Sequence, residues 1–466
     1  MFRKLIIHDK SFYKVVAATA IPIALQSLIT VGVNMMDTIM VGRVGETELS
    51  AVSLANSFIQ IYHILCMGLS MGASVMVSRF YGMRNQLDMK KSVSIMFRLT
   101  ILIASFFAIF TAFVPEHIMR IYTLEEPIIA KGIEYLRWSV VTYYLLGLSL
   151  TSTIVLRSVG KAKIPLYTSI AAFFINVGAN YMFIFGRFGA PQMGVAGAAV
   201  GTLIARLFEF TVICTYLLFR DDTIGFRLKD LFIKTNDLLS EYIKISIPVL
   251  VSDGILALGN NSVAMVIGRI GSDFVAANAV TAVTQQMSSV LTQGFCQSGA
   301  IITGETLGGG HKEKAQEQGY AFLGVGFALG VFSAIVISVI SNPVIRSYHL
   351  SDQTSEIARQ LMNSISFIML FQSTNSIMTK GVLRGGGDTK VLMVADNIFL
   401  WAASLPLGIL ASFVFHLSAF WIYFFLKIDQ VLKAVWCVYR LNSGKWIKKI
   451  KTSGEAARTP LLQETS

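Results

Sequence analysis

Apolar runs of about twenty residues recur along this chain from Val15 to Tyr439, each long enough to cross a bilayer core of about 30 Å. That recurrence limits the fold sharply, because a chain in hydrocarbon must satisfy every backbone donor and acceptor internally. Helices do so segment by segment. Barrel strands would read as stretches of about ten residues with alternating polarity, which do not occur here. Composition agrees: of 466 residues, 54% are hydrophobic and only 14% charged, with a mean hydropathy of +0.63. A soluble surface needs more charge than that. The expected class is an all-α integral membrane protein with about twelve spanning helices.

The expected spans are Val15–Val41, Leu49–Ser78, Val93–Val114, Ile133–Leu156, Pro165–Phe185 and Val195–Phe219, then Tyr242–Ile267, Phe274–Gly304, Tyr320–Ser341, Gln360–Leu383, Val391–Phe413 and Leu417–Tyr439. The net charge of +12 could suggest a nucleic-acid partner, but its distribution points elsewhere. Basic residues gather in alternate connections, such as Arg79, Arg84, Lys90 and Lys91, then Arg157, Lys161 and Lys163, then Arg220, Arg227, Lys229 and Lys234. The intervening connections are poorer, holding Arg43, then Arg120 and Lys131, then Arg187. This is the positive-inside pattern, and it puts both termini in the cytoplasm and the chain in the cell inner membrane. Cys66, Cys214, Cys296 and Cys437 lie far apart within apolar runs, so they read as buried free thiols.

An internal repeat orders these spans. Ile21-Pro22 recurs as Ile247-Pro248, and Val41-Gly42-Arg43-Val44-Gly45 as Ile267-Gly268-Arg269-Ile270-Gly271. Arg120 and Tyr122 recur as Arg346 and Tyr348, and the block Leu156 to Lys163 as Leu383 to Lys390. All separations are 226 or 227 residues, and matched blocks sit on equivalent sides of the membrane. The halves are therefore parallel repeats about an axis along the membrane normal, and rocking one against the other would give alternating access. The expected organisation is a first six-helix lobe at 1–219, a cytoplasmic linker at 220–241, a second lobe at 242–440 and a polar tail at 441–466, disordered from Ser453.

Several blocks resemble the multidrug and toxic compound extrusion (MATE) family, in its NorM- and DinF-like branches. They are Met36-Asp37-Thr38-Ile39-Met40-Val41-Gly42, Leu156-Arg157-Ser158-Val159-Gly160, the stretch from Asn176 through Asn180 to Gly186, Gly194 to Thr202, and Val382 to Thr389. The resemblance reaches Tyr439 and implies a V-shaped pair of bundles that exports amphipathic, often cationic, compounds against an inward flow of protons or sodium. It also implies a cation site in the first lobe, which maps onto Asp37, Asn176, Asn180 and Thr202. One branch of the family has an aspartate where Asn180 stands; the Asn-x-x-x-Asn form here resembles the NorM-like branch. That branch adds carboxylates in spans 7 and 10, whereas span 10 here carries Gln372, Ser373 and Asn375 and no acid. The coupling ion and the lobe that binds it stay open.

The repeat weighs each candidate. Asp37 lies inside a span, where a charge usually faces a cavity or a partner, and its counterpart is Val263. Asn176 and Asn180 share one helix face, and their counterparts are Ala403 and Leu407. These three are not scaffold requirements. Asn34 and Asn260 occupy matching positions and read instead as inter-helix hydrogen bonds. Asp253, Lys380 and Asp396 have Ser27, Thr153 and Ser169 as counterparts, and form a possible second-lobe substrate or ion site in which an acid and the lysine could pair. Arg206 and Glu209 read as a structural pair three residues apart.

No phosphate-cradling loop, His-Glu-x-x-His or Gly-x-Ser-x-Gly is present. The expected protein is accordingly a monomeric secondary antiporter for small organic solutes, not an enzyme, with no ATP, no cofactor, no metal and no nucleic acid, driven by protons or sodium. A lipid-linked saccharide flippase of related fold, and an uncoupled channel or scaffold, are the alternatives.

Overall fold

The computed structural model describes residues 10–348 and 350–454. It is helical, with no strand among the described residues. In chain order the helices are α1 (Lys10–Gly42), α2 (Glu46–Gly82), α3 (Gln86–Phe113), α4 (Pro115–Tyr122), α5 (Glu126–Ser139), α6 (Thr142–Ser158), α7 (Lys163–Phe185) and α8 (Val195–Thr215). There follow α9 (Asn236–Ile270), α10 (Ser272–Gly308), α11 (Lys312–Ser347), α12 (Asp352–Ser376), α13 (Thr389–Ile398), α14 (Leu405–Ile409), α15 (Ala419–Leu426) and α16 (Asp429–Asn442). Every expected span falls on one of these helices or on a run of them. Among the described residues, eight helices are long and apolar enough to cross a membrane, and nine if α5 and α6, bent by 56° at their junction, count as one span. Outside that tally, α10 and α12 carry more polar side chains, whereas α15 is apolar but only eight residues long and parted from the more polar α16.

Local chemistry sets the ends. Asn85 caps α3 by accepting from the Asp88 amide at 3.1 Å while its own amide donates to the Asp88 carboxylate at 2.9 Å. Gly186, with φ +66°, ends α7 in the left-handed region. Span 11 is less regular than its first-half counterpart α7: Phe399–Ser404 and Leu410–Val414 are π-helical on either side of α14, which contains Pro406. A ring without an N–H forces the turns beside it to open.

The chain forms two compact units, and the boundaries at 25/26 and 250/251 fall inside helices. Among the described residues, one unit takes 26–250 and 451–454; the other takes 251–450 and 10–25. Both divisions lie within a turn of a proline inside a long helix, Pro22 in α1 and Pro248 in α9. In the first-half unit, α2–α8 pack around Met40, Val52, Ile118, Leu136 and Ile184, with a second cluster at Tyr62, Phe107 and Tyr143. The linker at 220–241 is folded here: Leu228–Phe232 is a 3-10 helix, and Arg98 of α3 donates to the Leu231 and Ile233 carbonyls at 2.7 Å. In the second-half unit, α10–α16 pack around Ile337, Ile365, Met369 and Tyr423, and around Phe322, Val382 and Trp446. All four cysteines are buried and free. Of the disordered tail expected from Ser453, residues 455–466 lie outside the described residues.

Candidate functional site

The first-half unit gathers the expected polar cluster. Asn180, fully buried on α7, donates from Nδ2 to the Asp37 carboxylate of α1 at 2.5 Å and to Asn176 Oδ1 at 3.4 Å. Helical spacing explains the second contact, since residues four apart stack on one face. Asp37 is half-buried and Asn176 is buried. Asn180 Oδ1 accepts no hydrogen bond, which leaves a buried acceptor unsatisfied beside a carboxylate. That oxygen faces Gly201 of α8, where an added Cβ would stand 2.0 Å from it. Glycine at 201, with Gly197 packed on the Phe183 carbonyl, is what lets α7 and α8 approach this closely.

Thr202 joins the cluster through a residue that the sequence reading missed. Tyr135, buried on α5, donates to Asn56 Oδ1 at 3.2 Å, lies beside Thr202 and is near enough to Asp37 to feel its charge. A signal was available: its counterpart 226 residues on is Leu361, the same loss of polarity as from Asp37 to Val263. Arg206 and Glu209 form the expected ion pair at 2.7 Å, and the Arg206 charge also acts on Asp37. Together these residues set a carboxylate, two amide oxygens and two hydroxyls in one neighbourhood. Hard cations take such oxygens as ligands, and a protonated acid takes them as hydrogen-bond partners.

The second-half candidates are arranged differently from expectation. Asp253 pairs with Arg384 at 3.4 Å, and Lys380 is exposed, with no ion pair within 4.0 Å among the described residues. The acid–lysine pair expected among Asp253, Lys380 and Asp396 is therefore corrected: Arg384, one helical turn beyond Lys380, brings its guanidinium to Asp253. Asp396 is buried on α13 and pairs with Lys433 of α16 at 3.4 Å. Lys433 also holds Asp429 at 3.2 Å. The sequence reading singles out neither Lys433 nor Asp429, although an acid and a base four apart in an apolar run is a readable signal. Asn34 and Asn260 are both exposed rather than hydrogen-bonded between helices, and their side chains make no hydrogen bond among the described residues.

Comparison with known proteins agrees with the duplicated helical fold. The family model described as MatE matches residues 22–182 and 248–410, two matches that begin 226 residues apart. A relative called probable multidrug resistance protein NorM, from Thermotoga maritima, is 26% identical over 448 residues, spanning 94% of either chain. The multidrug resistance protein MdtK of Yersinia pseudotuberculosis is 22% identical over 447 residues, covering 94% of this chain and 96% of its own. Among solved structures, an outward-facing multidrug resistance MATE family transporter of the MOP superfamily superposes with a TM-score of 0.83 at 18% identity, covering 93% of this chain and 96% of its own. A crystal structure of MATE in the straight conformation gives 0.82 at 17%, again covering 93% of this chain and 96% of its own. At such identities the structures speak for the fold.

Proposed function

The chain belongs to the MatE family of multi-pass membrane transporters, and from that premise we propose that it exports amphipathic or cationic organic compounds in exchange for protons or sodium. The observation that carries this reading is the contact of Asn180 with Asp37, beside an amide oxygen that has no donor. An acid set among oxygen ligands exchanges a cation or a proton; a scaffold contact needs neither. In this reading Asp37 is the coupling acid, Asn180 and Asn176 orient it and offer oxygens, and Thr202 stands beside Tyr135. Solute export is supported by the names of the relatives, multidrug resistance proteins over nearly their whole length.

The alternation of basic connections supports an inner-membrane orientation with both termini in the cytoplasm. We take the transporter as a monomer working without ATP, its energy supplied by the ion gradient. Ethidium added to proteoliposomes under an imposed pH or sodium gradient tests the reading. Ethidium-induced ion flux in the wild type that vanishes in Asp37→Asn supports it, and flux unchanged by that substitution rejects it. Accessible tags at Lys163 and Lys229 from the cytoplasm, and at Pro191 from outside, test the orientation.

A further inference from the structure

The linker at 220–241, which belongs to the first-half unit, carries five acids, and each holds a cation. Asp221 takes Lys161 at 2.5 Å, Asp222 takes Arg227 at 3.1 Å and Asp230 takes Lys90 at 3.2 Å. Asp237 takes Lys91 at 2.5 Å, and Glu241 takes Lys244 at 4.0 Å. Asp88, a further acid at this end of α3, is fully buried. Three bases of the linker are left over. Arg220, Lys229 and Lys234 are exposed and form no ion pair within 4.0 Å among the described residues. The unbalanced charge that this segment presents to its surroundings is therefore wholly positive.

Apolar side chains stand among these bases. Phe232 is 83% exposed and Leu228 61%, at the two ends of the 3-10 turn Leu228–Phe232. Residues three apart eclipse in such a turn, so Lys229 and Phe232 share one side of it. A large apolar surface left open beside a basic rim marks a face that meets something both apolar and anionic.

The depth of the turn says what that is. Ser94 Oγ of α3 donates to the Leu231 carbonyl at 3.0 Å. Arg98 donates to the Leu231 and Ile233 carbonyls at 2.7 Å and to Thr235 Oγ1 at 3.3 Å. The apolar run of α3 begins at Val93, so Ser94 and Arg98 lie one and five residues inside it. Along the helix axis that is about 1.5 and 7.5 Å. The backbone of 231–235 is thus pinned near the level where headgroups give way to hydrocarbon. A soluble acidic protein or a nucleic acid would need this face to project into water. The alternation of basic connections supports a cytoplasmic placing of this end, and there anionic lipids give the bilayer surface a negative potential.

We propose that the linker is a membrane-surface anchor: Phe232 and Leu228 enter the boundary layer of the bilayer, and Arg220, Lys229 and Lys234 hold the phosphates of anionic phospholipids. Apolar side chains inserted beneath a basic rim are how interfacial segments bind such surfaces. The linker is then tied to α3 on one side and to lipid on the other, whichever ion or solute the protein carries.

The four native thiols are buried, so a bimane fluorophore can be placed on Phe232→Cys of the full-length protein in lipid nanodiscs. It should be quenched by phospholipid carrying a nitroxide near the top of the acyl chain and shielded from aqueous acrylamide. At equal mole fraction, nitroxide-labelled phosphatidylglycerol should quench more than the phosphatidylcholine analogue. That preference should fall by up to about fivefold for each lysine removed, in Lys229→Gln and then with Lys234→Gln added. A fluorophore open to acrylamide and untouched by nitroxide lipid overturns the anchor and favours a soluble partner. Quenching that does not distinguish the two lipids, or a preference that survives loss of both lysines, overturns the assignment of the phosphates. Leu228→Cys gives the same reading should Phe232→Cys not fold.

Discussion

Where the first half holds Gln26 against Ser169 at 2.8 Å, the second holds Ser252 against Asp396 at 3.4 Å. The four residues occupy matching repeat positions on matching helices, α1 with α7 and α9 with α13. Eleven residues further along, the polarity reverses: Asp37 meets Asn180 in the first half, while Val263 and Leu407 stand in the second. Eleven residues of helix amount to about 16 Å. A duplicated scaffold has kept its contacts and moved its acid, so each half carries a buried or half-buried carboxylate at a different depth. The surroundings differ as well. Asp37 is held by neutral amides, whereas Asp396 is held by an ammonium that a second acid shares.

This contrast can be broken at the first-half acid. Asp37→Asn should bring uphill ethidium export to background while costing less than about 1 kcal/mol of stability, because the asparagine keeps the size of a half-buried group and can still accept from Asn180. Asp37→Asn and Asn180→Ala should be strongly non-additive in transport; additive losses would mean the two act separately. In the second half the balance between stability and transport should shift. Lys433→Met leaves two buried acids without their cation and should cost about 3–5 kcal/mol. Thermal unfolding in detergent would read this, with Lys433→Met combined with Asp429→Asn recovering much of the loss. Equal destabilisation by Asp37→Asn would erase the contrast.

A smaller effect is expected at Gly201. Gly201→Ala puts a methyl group 2.0 Å from Asn180 Oδ1 and should cost about 1–3 kcal/mol and lower export. Gly178→Ala, on the same helix as Asn180 but with nothing within 4 Å, should be neutral or slightly stabilising. The smallest effect belongs to Arg206 and Glu209, three apart on α8 with side chains 30% and 13% exposed. A double-mutant cycle on their stability should return roughly 0.5 kcal/mol or less. A much larger coupling would make them part of the Asp37 cluster and not a pair of their own.

The sequence made the architecture legible because hydrocarbon leaves a chain few options and because the repeat could be checked against itself. The family resemblance pointed to Asp37, Asn176 and Asn180, and the same self-comparison marked each as polar where its counterpart is apolar. It failed where partners come from helices far apart in the chain. Arg384, not Lys380, reaches Asp253, and only packing decides between two cations one turn apart. Tyr135 looks like an ordinary aromatic on an amphipathic helix until Thr202 and Asn56 are seen beside its hydroxyl. Asp429 and Lys433 lie in a span with no matched motif to anchor its register, so the repeat offered no comparison for them.

The stretch after α16 has a practical consequence for anyone shortening or fusing this protein. Expected as part of a polar tail, residues 443–450 instead fold back. Trp446 is fully buried, its ring lies where a Gly386 side chain would stand, and its Nε1 donates to Gln316 at 2.8 Å. The Lys448 amide donates to the Gly386 carbonyl at 2.9 Å, and Arg440 grips Asp388 at 2.7 and 3.0 Å. A cut at Asn442, where the last helix ends, would therefore empty a tryptophan-sized socket, a loss of about 3–5 kcal/mol. A truncation or a fusion point must also stay clear of Ser453, whose backbone amide donates to the buried Asp88 carboxylate at 3.0 Å.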